Sequence, residues 1–273
     1  MKTGLITKAD GSAYLEQERI KMVSAVYGPQ QLKNAPFSSS ASLVCEVKYA
    51  PFALKQKYGC NREIIEKDMS LHLEAAISPS IQLDILPKSV IHIYVFVLEA
   101  DGELSTFAAA ITCASAAIAD ANIECVDLVT GAAAIINKDN CVIMDPTDED
   151  ENDKIFSLVI GYMAVKDELT ELWSFGLKLF NSTDQHESDD ILSKCISMAS
   201  DYRFVLNNVI MQKMEEQLNF FEGLCLFMKT SNVFILILKS WKIHFGKFTF
   251  MYFYINLNKL KNLRLLKIYL LYT

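Results

Sequence analysis

Lys8-Ala9-Asp10-Gly11-Ser12-Ala13-Tyr14-Leu15-Glu16, followed by Ala25-Val26-Tyr27-Gly28-Pro29, frames the stretch that decides the fold. Between these tracts residues 12–17 and 20–27 alternate, with Met22, Ser24 and Val26 opposed to Val23, Ala25 and Tyr27. A period of two is the signature of a strand with one buried face, so the segment predicts a β-hairpin or meander. Gly28-Pro29 is expected to stop the second strand, since proline has no N–H to donate.

Working outward, residues 30–42 are polar, carry Pro36 and three consecutive serines, and read as a loop. A third strand over 43–49 ends at Pro51. From Arg62 to Ser78, Ile65, Met69, Leu73, Ala76 and Ile77 recur at helical spacing. Residues 91–98 form a nearly unbroken β-branched and aromatic run, which predicts a central strand covered on both faces. Residues 107–121 are Ala-rich and small, suited to a helix packed closely on a sheet. Further strands are expected over 127–136, 141–144, 155–165 and 171–175. A long helix is expected from an N-cap at Ser188, burying Ile191, Cys195, Met198, Tyr202, Val205 and Val209. Strands first, two crossing helices and a long closing helix give an α+β layered domain.

With 273 residues and 51% hydrophobic content the chain can bury a full core. Its charge is divided. Residues 219–273 hold seven Lys, Arg264 and one acid, Glu222, for a net +7, which leaves 18 − 32 = −14 on residues 1–218. So acidic a body excludes nucleic-acid binding through a general basic footprint, and any RNA contact must be local or shared with partners. Cys45, Cys60, Cys113, Cys125, Cys141, Cys195 and Cys225 show neither C-x-x-C pairing nor zinc-ligand spacing, and read as reduced thiols of an intracellular protein. The N-terminus lacks the apolar run of a secretory signal, so Asn181-Ser182-Thr183 reads as a polar turn.

The tail lacks Ala, Pro and Asp and is rich in Phe, Ile, Leu, Tyr, Lys and Asn. It is expected to lie outside the fold of residues 1–218, as an extension or as a peripheral, partner-binding segment. Its longest uncharged stretches, 230–238 and 248–258, fall short of the roughly 20 apolar residues of a membrane span.

The two opening tracts resemble the first hairpin of the RNase PH family, and the similarity continues through Leu98-Glu99-Ala100-Asp101-Gly102, the Ala-rich helix and Val126-Asp127-Leu128-Val129. Tyr49-Ala50-Pro51-Phe52-Ala53 and Met144-Asp145-Pro146-Thr147 are most similar to the ring subunits of the RNA exosome within that family. The resemblance spans roughly residues 4–215 and implies an RNase PH-like single domain of the ribosomal protein S5 domain 2-like type, with mixed sheets packed on helices. It also implies an N-terminal strand, and because the chain opens close to its first recognisable strand, truncation of that strand is an open expectation.

Active members of the family attack an RNA phosphodiester with inorganic phosphate, which requires an Arg clamp and a carboxyl general acid. Aligned on Ala109-Ala110-Ile111-Thr112, Phe107 stands in the Arg position, and no Arg occurs between Arg62 and Arg203. The general-acid position falls at Lys154-Ile155-Phe156, with Ile155 in the acid's place; a shifted loop would bring Asp153 there instead. Lys55, Lys57 and Arg62 follow the third strand, where related subunits line the RNA channel, and either touch RNA phosphates or are simply solvated. The acids of 145–153 read as a solvated loop rather than a metal site, and His72 and His92 as structural residues. No metal or cofactor is expected.

The resemblance therefore implies a non-catalytic subunit of the exosome ring, in the nucleus, nucleolus and cytoplasm. Its partners would be other RNase PH-fold subunits, cap subunits and RNA threading the shared channel, with no membrane. The alternatives are an active phosphate-dependent exoribonuclease and a free-standing adaptor.

Overall fold

The computed structural model describes residues 1–31, 38–53, 62–138, 141–176, 185–230, 252–255 and 268–271. The chain divides into two compact units, Met1–Glu215 and Glu216–Thr273. In the second, β10 (Tyr252–Ile255) and β11 (Ile268–Leu271) pair antiparallel.

The first unit is built on two sheets. One contains β1 (Lys2–Thr3), β2 (Gly11–Gln17), β3 (Ile20–Gln31), β4 (Ser42–Tyr49) and β5 (Ser89–Glu99), in the order β1-β2-β3-β5-β4. Only the β4–β5 pairing is parallel, because α1 (Arg62–Ile77) makes the crossover between those strands. The other sheet is antiparallel, with β7 (Val142–Met144), β6 (Val129–Asn137), β8 (Lys154–Met163) and β9 (Glu168–Phe175) in that order. A short helix, α3 (Asp148–Glu151), joins β7 to β8, and α4 (Gln185–Thr230) follows β9.

Between the sheets runs α2 (Glu103–Asp120), buried without a break from Leu104 to Ile118. Its small residues let it approach both sheets backbone to backbone. A Cβ at Gly11 of β2 would collide with the Ala117 carbonyl, and one at Gly131 of β6 with the Ala108 carbonyl. One core joins β2–β5, α1, α2 and the facing residues of β6 and β8; a second lies between the other face of β6 and β8 and Ile191, Cys195 and Ala199 of α4. Each fully buried side chain such as Leu73, Ile91 or Ile111 contributes about 1.5–3 kcal/mol of transfer free energy.

Four expectations are corrected. Gly28-Pro29 does not end β3, which continues to Gln31; the register slips between Tyr27 and Gln30, so the bulge absorbs the missing N–H. β5 is interior to its sheet but covered on one face only. Ile91, Ile93, Val95 and Val97 are buried, whereas Phe96 is 49% exposed and His92 stacks beside Tyr94 on the outer face. A continuous apolar run cannot reveal that one of its faces lacks a covering layer. The helix α4 starts at Gln185, before Ser188, whose side chain lies outside the described residues. Finally, Val205 is 54% exposed, and the buried line of α4 passes through Ile191, Cys195, Ala199 and Leu206. Ala199 is fully buried, and the Thr130 hydroxyl donates to its carbonyl at 2.9 Å.

Candidate functional site

Phe107 lies on the first turns of α2 and is fully buried. Its ring meets Trp173 of β9 at 5.0 Å between centroids, with the planes at 78°. Trp173 in turn stacks on His72 of α1 at 4.6 Å and touches Phe175 at 4.7 Å. His72 Nδ1 shares a 2.9 Å hydrogen bond with Glu171 Oε1, which fixes the imidazole in this stack. Packing of this kind fills the space with ring surface, and Phe107 itself brings neither charge nor hydrogen-bond donor to an anion. Where the family resemblance locates a guanidinium, three elements close on hydrocarbon and aromatic rings.

At the amino end of α2, helix N–H groups could in principle hold a phosphate. That end is occupied from within: Leu104 N–H donates to Glu151 Oε1 at 2.9 Å. Glu151 comes from α3, whose capping box joins Thr147 and Asp150. The Thr147 backbone N–H and hydroxyl both donate to Asp150, at 3.1 and 2.6 Å, and hold that carboxyl below its ordinary range. Asp148 N–H donates to Asp101 Oδ1 at 3.4 Å, and the Ser105 hydroxyl donates to the Pro146 carbonyl. Burial pushes the Glu103 and Glu151 carboxyls up; Lys154, 3.6 Å from Glu151, acts in the opposite sense on both. Asp101, Glu103 and Glu151 together oppose any anion at this end of the helix.

The general-acid position holds Ile155, 40% exposed. Asp153, the carboxylate of the shifted-loop reading, is bound at 2.6 Å by Lys138 on the exposed surface. The acidic stretch is therefore partly a helix whose acids cap one another and α2, and among the described residues no group of His, Cys, Asp or Glu could hold a metal ion. Arg62 is described: its Nε donates to Glu66 Oε1 at 2.8 Å. Lys55, Lys57 and the turn at Asn181 lie outside the described residues.

On the other side of α2, Leu15, Ala108, Ala109 and Leu206 line an open cleft of about 170 Å³. Asp145, also lining it, accepts from Tyr202 at 3.2 Å and from Gln17, and Gln17 donates to the Tyr202 hydroxyl at 2.7 Å. Burial and the Asp145 charge push the Tyr202 phenol up. Sequence reasoning passed over Trp173 and Gln17, placed Tyr202 only on the buried face of the long helix, and read Asp145 and Glu151 only as acids of a solvated loop. Thr147 followed three residues later by Asp150 was the legible sign of an α3 helix start, whereas nothing local marks Trp173 or Tyr202 as neighbours of α2.

Comparison with known proteins bears directly on this arrangement. The profile of the 3′ exoribonuclease family, domain 1, matches residues 1–124, a span that includes Phe107 and the amino end of α2. The exosome complex component mtr3 of Schizosaccharomyces pombe is 42% identical over 214 residues, covering 77% of this chain and 81% of that relative. The chain belongs to the RNase PH family. Exosome complex component MTR3 of Chaetomium thermophilum is 36% identical over 203 residues, 64% of this chain and 72% of its own length. Rice Rrp46 shares the fold, with a TM-score of 0.62 at 20% identity over 76% of this chain and 92% of that one. The RNase PH-like α+β architecture with its long C-terminal helix is thus a shared one. Among the described residues no helix is long and apolar enough to cross a membrane.

Proposed function

We propose that residues 1–218 form a non-catalytic structural subunit of an exosome core ring, helping to build the channel through which rRNA and mRNA pass for 3′-to-5′ processing and decay. The observation that carries this reading is Phe107, fully buried against Trp173 at the position where the family resemblance locates the phosphate-binding arginine. Glu151 on the amino end of α2 supports it independently, because a phosphate would have to displace a carboxylate. Similarity to two proteins named exosome complex components supports assembly with other RNase PH-fold subunits, with cap subunits and RNA as further partners. Nuclear, nucleolar and cytoplasmic location follows from that assembly.

Two measurements test the reading. The full chain, purified and incubated with end-labelled RNA in phosphate and Mg²⁺, is expected to leave the RNA intact; release of nucleoside diphosphates that Asp153→Ala abolishes would establish an active exoribonuclease instead. The native protein drawn from its own cells is expected in a complex with several exosome subunits, and a monodisperse monomer would establish a free adaptor.

A further inference from the structure

We infer that the cleft between β2, α2 and α4 is a docking site for a lysine side chain of a partner protein, with the stem on its apolar floor and the ammonium on Asp145. This goes beyond the ring reading and does not depend on it, since every residue involved lies in the unit Met1–Glu215.

Size restricts the occupant. The cleft holds about 170 Å³, room for roughly five or six waters and well short of the roughly 300–1,000 Å³ typical of small-molecule sites. One amino-acid side chain is of the right order. The floor is apolar, because Leu15 of β2, Ala108 and Ala109 of α2 and Leu206 of α4 are all buried and line it. An alkyl stem laid there is favoured, since it takes apolar surface out of water on both partners. Val205, also lining the cleft, is an exposed residue and leaves the way in from solvent open.

Charge restricts it further. Asp145 Oδ2 accepts from the Tyr202 hydroxyl at 3.2 Å and from Gln17 Nε2, and both donors are neutral. Gln17 also donates to the Tyr202 hydroxyl at 2.7 Å, so the three groups hold one another in place. Among the described residues no hydrogen bond reaches Asp145 Oδ1 and no cation pairs with this carboxylate. Glu16 lines the same cleft, Glu18 acts on Tyr202, and Arg19 lies 3.8 Å from Asp101. The local field is negative, within a body of net charge −14, and favours a cation over any anion. A guanidinium fork needs two carboxylate oxygens, whereas an ammonium is a point charge that one open oxygen serves. Lysine joins that charge to a four-carbon stem that packs along apolar surface.

The test titrates the purified full chain with N-acetyl-lysine N-methylamide and with its norleucine counterpart, which keeps the stem without the charge, both read by saturation-transfer NMR. The lysine compound is expected to bind roughly tenfold more tightly, the worth of one hydrogen bond to a charged group. Asp145→Asn should erase that difference; asparagine tolerates the left-handed backbone at this position, φ 55°. Val205→Trp, a substitution at an exposed site, should block both compounds and leave the melting temperature unchanged. Equal binding of the two compounds, no binding, a lysine preference that survives Asp145→Asn, or binding that Val205→Trp leaves intact overturns the inference. In the native protein drawn from its own cells, a carbodiimide, which couples a carboxylate to an amine in contact with it, is expected to join Asp145 to a lysine of another chain. Coupling to a lysine of this chain, or an uncoupled Asp145, overturns it as well. Either failure leaves the ring reading standing, because that reading is judged by the fate of RNA and by the subunits that accompany the chain.

Discussion

The ring of Phe107 is held edge-to-face against Trp173, 5.0 Å between centroids, with His72 closing the far side of the indole at 4.6 Å. Restoring the family's arginine by Phe107→Arg should therefore not restore phosphorolysis. The guanidinium would enter a fully buried position packed against the His72 and Trp173 rings with no carboxylate partner shown for it, at a cost of about 3 kcal/mol or more. In a Trp241→Phe background, Trp173 emission is expected to shift to the red and the melting temperature to fall. A stable, phosphate-dependent nuclease from this one change would show that the pocket opens more readily than its packing implies.

Neighbouring positions on α4 separate core from surface. Leu206→Asp places a carboxylate at a site 1% exposed and should unfold the domain, with or without ring partners. Val205→Asp, at a site 54% exposed, should change stability by less than about 0.5 kcal/mol. Circular dichroism melts of the two variants side by side decide the matter, and equal loss would mean that the helix is rotated.

Asp127 and Arg203 form a buried ion pair at 2.5 Å, reinforced by Val165 N–H to Asp127 and by Arg203 to the Leu128 carbonyl. Asp127→Ala strands a guanidinium that is only 15% exposed and should cost about 3–5 kcal/mol in urea unfolding. The double variant Asp127→Ala, Arg203→Met should recover part of that loss. No recovery would mean that the backbone hydrogen bonds of Asp127, rather than the charge pair, carry the stabilisation.

Glu103 and Glu151 carry carboxyls raised by burial. A carboxyl raised on folding binds its proton more tightly in the folded state, so its charge weakens the fold above the folded pKa and stability is regained as pH falls through it. The double variant Glu103→Gln, Glu151→Gln keeps an oxygen to accept Leu104 N–H and removes both charges. Relative to wild type it should gain most at neutral pH, with the gain shrinking on acidification into the carboxylate range. A gain independent of pH would point to packing instead.

How much of this was legible depends on whether a neighbour in sequence or in space did the work. The opening hairpin, α1 and the Ala-rich α2 declared themselves, because alternation, helical spacing and small side chains are local consequences of burial. Phe107 could be flagged only by its place beside Ala109-Ala110-Ile111-Thr112, and its partner Trp173 lies 66 residues away on an edge strand with no pattern of its own. The error at Val205 came from carrying the three- and four-residue spacing onward through Met198 and Tyr202; the buried line is offset by one residue and runs through Ala199 and Leu206. The one-sided burial of β5 was illegible because its outer face, with His92, Tyr94 and Phe96, is nearly as apolar as its inner one.

Gly11 and Gly131 each press a sheet against the backbone of α2, one on either side. Neither sheet can open away from this shared helix without exposing the helix to water, so partial opening of one half withdraws support from the other. The two sheets should accordingly lose structure in a single cooperative step, and the amides from Leu104 to Ile118 should exchange with deuterium only at the rate of global unfolding.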